Sequence, residues 1–252
     1  MGAIELTKRD QLPHASEFEG RTFIIHSMPR AASTSFRVWF NQQNDIVSHG
    51  EIFGPNKVLS TSHKQKTKFS PIRRNRNPRK FLKTYFCDHD VQYAGFKALS
   101  SHLIDRQNLP ALRWFFDTKP KVIQLYRKDL VARYKSTLYH RLRHGTISQE
   151  LILNFRTEDV EIDCLVTQEQ WRMAHKYWID GLDVVRLNIK EIGADTPPQV
   201  EALMGIKFDG ELGHNNAEAS KKAQTANHKA VKHLEKICEA ASLDQYRDVN
   251  FD

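Results

Sequence analysis

The segment from Phe23 to Phe36 places the strongest constraint on what this chain can fold into. It begins with a short apolar run that stops at Pro29, continues with small and hydroxyl residues, and leads into an amphipathic pattern that starts at Phe36. An apolar run followed by a turn and then by helical periodicity is typical of a buried strand, a tight turn and a helix start. The segment therefore predicts a strand–turn–helix unit, the building block of α/β proteins.

The turn in this unit has the composition of an anion-binding site. Backbone N–H groups at a helix N-terminus converge on one point, and the helix dipole makes that point positive. Arg30 adds a charged donor fork, and hydroxyl donors follow at Ser33, Thr34 and Ser35. The alternative is an ordinary helix cap, for which serine and threonine are also favoured. The turn has neither the Gly-x-x-x-x-Gly-Lys-Ser/Thr pattern nor the Gly-x-Gly-x-x-Gly pattern, so it belongs to another kind of anion-binding turn.

A second candidate element lies further along the chain. Residues 121–127 form an apolar run that ends on Arg127, and residues 128–136 continue with a helical pattern. Asp129 is expected to cap this helix, and Ser136 lies further along it, where it can face the same crevice as Arg127. An arginine at the carboxyl end of a strand lies where open α/β sheets bind ligands. The alternative is a solvated basic helix, because several more arginines and lysines occur in this region.

Together, the two elements resemble the sulfotransferases that use 3′-phosphoadenylyl sulfate, and most closely the bacterial carbohydrate sulfotransferases such as the trehalose-glycolipid and nodulation-factor enzymes. The shared pattern is strand–Pro-Arg-x-x-Ser-Thr–helix, followed later by strand–Arg-x-Asp-x-x-x-x-x-x-Ser. The resemblance implies a P-loop-like α/β fold in which Arg127 and Ser136 hold the 3′-phosphate. It also implies a late basic loop, with Lys221 and Lys222, that closes over the cofactor. The loop for the 5′-phosphosulfate would consist of Arg30, Ala31, Ala32, Ser33, Thr34 and Ser35.

Three other segments agree with this family in type and order. Residues 49–53 resemble the segment that carries an acidic residue at the acceptor site. Residues 93–99 resemble the next strand, with Lys97 near the crevice, and residues 184–192 with 199–206 resemble the late strand and helix.

The chain departs from the family pattern in three ways. Ala32 stands where members often have glycine, which narrows the backbone conformations open to the turn. Asp129 stands where many members have proline, although the bacterial branch tolerates aspartate. The 5′ loop has no lysine, which some relatives place on the bridging oxygen, so Arg30 is the only charged residue in it.

The resemblance implies a base for the acceptor hydroxyl. Sulfuryl transfer, like phosphoryl transfer, is an in-line displacement in which positioning and charge stabilisation dominate. Glu51 is the first candidate because it follows the expected second strand, Asp45–His49, and His49 is the second because histidine titrates near neutral pH. The alternatives are a surface turn for Glu51 and a hydrogen-bonded loop position for His49. No strand ends in an obvious metal-holding aspartate, so no metal is expected.

Length and composition favour one α/β domain over residues 1–252. A hydrophobic content of 40% is enough for a substantial core, and alternating strand and helix patterns favour a parallel sheet flanked by helices. No apolar run approaches the length of a membrane span and no signal-peptide pattern is present, so we expect a cytoplasmic protein. Three scattered cysteines predict neither a disulfide framework nor a zinc site, and His140 and His144 are assigned to a solvated helix face.

Much of the net charge of +8 lies between Lys57 and Lys83, a stretch without acidic residues. Its two prolines and weak periodicity predict an inserted loop or lid over residues 57–90, which would steer a polyanionic cofactor. The alternatives are a mobile solvated loop and a nucleic-acid-binding patch, although no known nucleic-acid motif is present. Residues 151–166, rich in acidic side chains, are assigned to an excursion at the sheet edge, and residues 210–227 to a flexible surface loop.

The sequence as a whole therefore predicts a sulfotransferase. It would move a sulfuryl group from 3′-phosphoadenylyl sulfate to a hydroxyl group on a carbohydrate or glycolipid, with adenosine 3′,5′-bisphosphate as the other product. A nucleotide-dependent kinase with a divergent phosphate loop is the enzyme alternative. A basic nucleic-acid-binding protein is the non-enzyme alternative.

Overall fold

The computed structural model describes residues 14–55, 58–59, 69–87, 90–190, 192, 197–210, 212, 228–240 and 244–251. Over these residues the chain forms a parallel β-sheet that is covered on both faces. Lys221, Lys222 and most of the predicted loop at 210–227 lie outside the described residues. Within the described part of the chain, no helix combines the length and the apolar character needed to cross a bilayer.

The described strands form one five-stranded sheet in which all neighbours are parallel. The strands are β1 (Thr22–Ser27), β2 (Ile46–His49), β3 (Tyr93–Leu99), β4 (Lys121–Tyr126) and β5 (Val184–Asn188). Their order is β2-β3-β1-β4-β5, so the chain builds one side of β1 first and then crosses to the other side. This reversal opens a crevice at the carboxyl ends of the strands, where open α/β sheets bind ligands. The predicted parallel α/β sheet is confirmed.

Helices connect the strands and cover the sheet. They are α1 (Ser33–Phe40), α2 (Pro71–Arg76), α3 (Pro78–Leu82), α4 (Ser100–Leu103), α5 (Leu109–Asp117), α6 (Leu130–Arg143), α7 (Gln149–Leu153), α8 (Thr157–Ala174), α9 (Pro198–Met204) and α10 (His228–Ala240). Single π-helical turns at Lys83–Cys87 and His175–Ile179 continue α3 and α8. Asp129 caps α6 as predicted, because its Oδ1 accepts a hydrogen bond from the Ala132 N–H at 2.8 Å.

The core lies in two apolar clusters, one on each face of the sheet. Phe23 of β1 packs in the cluster that includes the α1 residues Phe36 and Trp39. Ile24, the next residue of β1, packs in the opposite cluster with Phe96 and others. Because both faces are buried, the strands are mostly apolar on both sides, which is the usual composition of parallel strands covered by helices. Polar residues such as His26 and Gln124 interrupt this pattern.

Gly95 permits the close pairing of β1 with β3. It lies opposite Phe23 in the register of the two strands. A Cβ atom at this position would lie 2.2 Å from the Phe23 carbonyl oxygen and 2.6 Å from its ring. A glycine is therefore required where the two backbones meet.

The structure differs from the predicted loop over residues 71–87, which are helical. The two prolines that suggested a loop, Pro71 and Pro78, each begin a helix, where a missing N–H costs no hydrogen bond. Ser70 Oγ caps α2 and Asn77 Oδ1 caps α3 by accepting first-turn N–H groups at 3.3 and 3.1 Å. The segment also contributes buried aromatic residues to the core. The loop prediction is therefore wrong for this part of 57–90.

Residues 151–166, predicted as an excursion at the sheet edge, are mostly helical and belong to α7 and α8. Glu158 and Asp159 lie in the first turn of α8, where negative charge is favoured by the helix dipole. Asp159 Oδ2 accepts a hydrogen bond from the Arg156 N–H at 2.7 Å. The acidic composition thus marks a helix start.

Candidate functional site

The turn between β1 and α1 has an unusual backbone. Arg30 and Ala32 adopt left-handed conformations with φ of 66° and 54°. The turn is fixed to the sheet and to itself, because the Met28 N–H donates to the Leu125 carbonyl and the Ala31 N–H donates to the Met28 carbonyl, both at 3.3 Å. A left-handed residue followed by a helical one turns successive N–H groups toward the same side and forms an anion-binding concavity.

The first turn of α1 is not capped by a side chain. Its N-cap is Ala32, which carries no acceptor, and the hydroxyl residues Ser33, Thr34 and Ser35 follow inside the helix. The first N–H groups of a helix have no partner within the helix. Since the serines and threonine stand one position too late to cap, the ordinary-cap interpretation of this turn does not hold. The Ser35 N–H donates to the Ala32 carbonyl at 2.9 Å, so the N–H groups that precede it are the ones oriented for an external acceptor.

A cavity of about 380 Å³ opens in front of this turn. Its volume lies within the range of about 300–1,000 Å³ that is usual for small-molecule sites. Its polar wall is formed by the turn, by Lys97 of β3 and by Arg127, the first residue after β4. The complete lining is Arg30, Ala31, Ala32, Ser33, Thr34, Ser35, Phe36, Val38, Lys97, Arg127, Ile189, Ile192 and Leu212.

Two arginines that lie far apart in the sequence make this cavity electropositive. Burial lowers the pKa of Arg127, and the charge of Arg30 lowers that pKa further. Burial likewise lowers the pKa of Arg30, followed by the effect of Arg143. The Arg127 Nε is buried and has no hydrogen-bond partner among the described residues. Arginine remains charged under all ordinary conditions. An anion in the cavity would therefore reduce the repulsion between Arg30 and Arg127 and would accept a hydrogen bond from the Arg127 Nε.

Ser136 lies beside Arg30. Arg30 Nε donates to Ser136 Oγ at 3.4 Å, and Arg30 Nη1 donates to His140 Nδ1 at 3.5 Å. His140 is exposed as predicted, yet it contacts a cavity residue, and burial followed by the charge of Arg30 lowers its pKa. The last turns of α6 therefore hold the Arg30 guanidinium beside the cavity through Ser136 and His140.

Lys97 links Glu51 to the turn, because it contacts both Glu51 and Thr34. Lys97 Nζ is 2.9 Å from Glu51 Oε1 and donates to Thr34 Oγ1 at 3.2 Å. The side chains of Lys97 and Glu51 are 12% and 27% exposed, so both are mostly buried but still reach solvent. The cavity wall and the carboxylate thus share one ammonium group.

His102, which the sequence analysis did not single out, faces the same carboxylate. Its Nδ1 accepts a hydrogen bond from the Leu99 N–H at 3.3 Å, so the neutral ring carries its hydrogen on Nε2. That Nε2 lies 3.9 Å from Glu51 Oε2. Burial lowers the pKa of His102, and the nearby Glu51 opposes this effect. Its position just after the carboxyl end of β3 is the one sequence signal that points to the site.

The loop that carries Glu51 is held by two buried side chains. Arg74 Nη1 donates to the carbonyl oxygens of Ile52 and Gly54 at 2.9 and 3.1 Å. Asn108 Nδ2 donates to the His102 carbonyl at 2.8 Å and to the Phe53 carbonyl at 3.1 Å. One arginine of the basic segment is therefore an internal support for the site and does not face solvent.

His49, the second candidate base, lies in the core. His49 is only 2% exposed. Its Nε2 lies 2.8 Å from the Tyr85 carbonyl oxygen, and its ring packs edge-on against the Tyr85 ring at 4.8 Å. A donor directed at a buried carbonyl is oriented for packing, so the geometry favours Glu51 over His49.

The structure thus gathers the turn residues, Lys97 and Arg127 around one cavity, with Ser136 beside it and Glu51 behind Lys97. The described residues contain no group of three or more His, Cys, Asp and Glu side chains arranged to hold a metal ion. Comparison of the chain with protein-family models and with curated proteins finds no match.

Proposed function

We propose that this protein is a sulfotransferase that moves a sulfuryl group from 3′-phosphoadenylyl sulfate to a hydroxyl group. The observation that carries the proposal is the shared cavity of Arg30 and Arg127, which follow two neighbouring strands at the switch point of the sheet. The choice of 3′-phosphoadenylyl sulfate as the donor comes from the resemblance of the segments around Arg30 and Arg127 to the sulfotransferases.

The residues around the cavity fit a nucleotide with two separated anionic groups. The uncapped N–H groups of α1 and the hydroxyls of Ser33 and Thr34 suit the 5′-phosphosulfate. Arg127, with its unused buried Nε, suits the 3′-phosphate, together with the Ser136 hydroxyl. The apolar part of the lining suits the adenine ring; it consists of Phe36, Val38, Ile189, Ile192 and Leu212.

In this proposal Glu51 accepts the proton of the acceptor hydroxyl while the hydroxyl oxygen forms a bond to sulfur. The bond between sulfur and the bridging oxygen breaks, and its electron pair stays on the 5′-phosphate of adenosine 3′,5′-bisphosphate. Arg30 and the first-turn N–H groups stabilise the charge that develops on that phosphate. Removing one such donor typically costs about 10²–10³ in rate. The resemblance supports a carbohydrate or glycolipid hydroxyl as the acceptor.

Calorimetric titration with adenosine 3′,5′-bisphosphate tests donor binding. We expect the wild type to bind and Arg127→Ala to bind about 10- to 100-fold more weakly, because hydrogen bonds to charged groups contribute about 1.5–3 kcal/mol each. Arg113→Ala, at an exposed position of α5, is the matched control and should bind like the wild type. The proposal fails if the wild type does not bind, or if Arg127→Ala binds equally well.

Activity distinguishes the proposal from its two alternatives. Incubation with 3′-phosphoadenylyl sulfate and a panel of glycan and glycolipid acceptors should yield sulfated product. Turnover of ATP with Mg²⁺ in place of the sulfate donor would identify a kinase instead. Binding to nucleic acid that weakens steeply with salt, without competition by the bisphosphate, would identify a nucleic-acid-binding protein.

A further inference from the structure

Lys97 occupies a position between two sites that are otherwise separate. It lines the cavity, donates to Thr34 Oγ1 at 3.2 Å, and lies 2.9 Å from Glu51 Oε1. Thr34 belongs to the anion-binding turn, and Glu51 is the proposed base. One ammonium group therefore touches both parts of the site.

We propose that Lys97 is a shared cation that couples the two parts, so that an anion in the cavity draws its ammonium away from Glu51. This inference rests on the proposed function, because it assigns an anion to the cavity and a base to Glu51. It makes Lys97 a residue that connects donor binding to the proton acceptor.

The electrostatics of the cavity favour such a transfer. Without an anion, three cationic side chains, those of Arg30, Arg127 and Lys97, line one cavity, and Glu51 attracts the Lys97 ammonium. A bound anion reverses the sign of the field on the cavity side. A lysine ammonium has three donors on a flexible stem, so it can follow this change while keeping its contact with Thr34. The low exposure of both side chains strengthens the competing interactions relative to water.

Other titratable groups among the described residues also act on Glu51 or on its neighbour His102. His102 of α4 faces the carboxylate, but burial lowers its pKa, which favours the neutral ring at neutral pH. Arg37 of α1 lies within electrostatic range of Glu51, and Arg74 and Asp105 act on His102 with opposite signs. When the ammonium moves, the carboxylate loses the counter-charge that lies 2.9 Å from its Oε1 and accepts a proton more readily. Donor binding thereby prepares Glu51 for the acceptor, and we expect the donor to bind first.

A double-mutant cycle with inorganic sulfate tests the coupling. Sodium sulfate is titrated by NMR at constant ionic strength into wild type, Glu51→Gln, Lys97→Met and the double variant. Glu51→Gln should tighten sulfate binding about fivefold, since releasing the lysine from a partly exposed ion pair makes that much interaction available. In the Lys97→Met background the same substitution should change binding less than about twofold. Glu169→Gln, on the exposed side of α8, controls for the loss of one negative charge and should have no effect.

If Glu51→Gln tightens sulfate binding equally with and without Lys97, the effect comes from the negative charge of Glu51 alone. This result would overturn the coupling. A second measurement needs no lysine variant: calorimetry at mildly acidic pH in two buffers of different ionisation enthalpy counts protons. Sulfate carries no proton there, so the wild type should take up protons on binding, and Glu51→Gln should take up fewer. Equal uptake by both proteins would also overturn it.

The outcome separates this inference from the proposed function. If the bisphosphate binds in an Arg127-dependent way while the sulfate cycle is additive, the coupling is wrong and the proposed function stands. If neither sulfate nor bisphosphate binds to the wild type, both are wrong.

Discussion

A single alanine holds the conformation on which the candidate site depends. Ala32 has φ of 54°, in the left-handed region where side chains crowd the following carbonyl oxygen. It also stands at the N-cap of α1, so its backbone sets the direction of the helix start and of the N–H groups that face the cavity. The position therefore combines backbone strain with a role in orienting donors.

Replacing this alanine by glycine should stabilise the protein. We expect Ala32→Gly to raise the free energy of unfolding by about 1 kcal/mol, because glycine adopts positive φ without the steric cost. Urea denaturation measures the difference. Gly205→Ala is the reciprocal control, since Gly205 has φ of 71° and an added Cβ would meet nothing within 4 Å. It should lose about the same amount. A loss of stability in Ala32→Gly would contradict the interpretation.

The residues that the sequence predicted differ from those it missed in how local their signals are. Arg127 follows β4 directly and Arg30 follows β1 after Met28 and Pro29, so the strand–turn–helix pattern places both at the carboxyl ends of the strands. His102 reaches Glu51 only because β2 and β3 are neighbours, which no short segment encodes. The burial of His49 could not be predicted, because a strand buried on both faces shows no alternation that would distinguish buried from accessible positions.

At the scale of secondary-structure elements, α2 and α3 determine the position of the loop that follows β2. Arg74 of α2 is buried, and burial lowers its pKa while Asp105 opposes the effect. Its guanidinium stacks over the Phe53 ring at 5.7 Å and binds two carbonyl groups of the Glu51 loop. The run of charge that predicted an inserted loop or lid thus includes a residue that is part of the core.

Arg74→Met should destabilise the protein far more than a neighbouring substitution. It removes donors to the Ile52 and Gly54 carbonyl groups, and buried acceptors without donors cost about 1–3 kcal/mol each. We expect a loss of about 2–4 kcal/mol in chemical denaturation. Arg76→Met, on an exposed position of the same helix, should change stability by less than about 0.5 kcal/mol. Similar effects for both variants would show that Arg74 does not support the loop.

At the scale of the whole molecule, a buried polar chain crosses the centre of the sheet. Arg186 Nε donates to Gln124 Oε1 at 3.0 Å, which orients the amide so that its Nε2 donates to His26 Nδ1, also at 3.0 Å. His26 Nε2 then donates to Ser100 Oγ at 2.9 Å. Burial, followed by the charge of His175, lowers the pKa of His26 to about 3. The network therefore requires a neutral imidazole.

This requirement predicts acid sensitivity. Between an unfolded pKa of 6.5 and a folded pKa of about 3, the unfolded state binds more protons, so stability falls as pH falls through that window. The contribution of His26 is full above pH 6.5 and should decrease by about 2 kcal/mol at pH 5. His102 and His175 have lowered pKa values and add in the same direction.

Urea denaturation between pH 7 and pH 4 measures the effect, and His26→Gln isolates it. The slope of the unfolding free energy against pH should be smaller in the variant, by the amount that corresponds to about one proton fewer taken up on unfolding. NMR provides an independent reading in the wild type, where the His26 ring should remain neutral at pH 4. A His26 ring that titrates near pH 6.5 would contradict the prediction.

The end of the sheet opposite the cavity is formed by the amino ends of the strands. Lys119 lies there, just before β4, with a side chain that is 67% exposed and paired with Glu19 at 2.7 Å. Since every described strand runs in the same direction, this end faces away from the cavity. A fluorescent label or a surface tether attached at this position would leave the mouth of the cavity open to solution. Single-molecule and immobilised-protein measurements of ligand capture therefore have a natural attachment point on this fold.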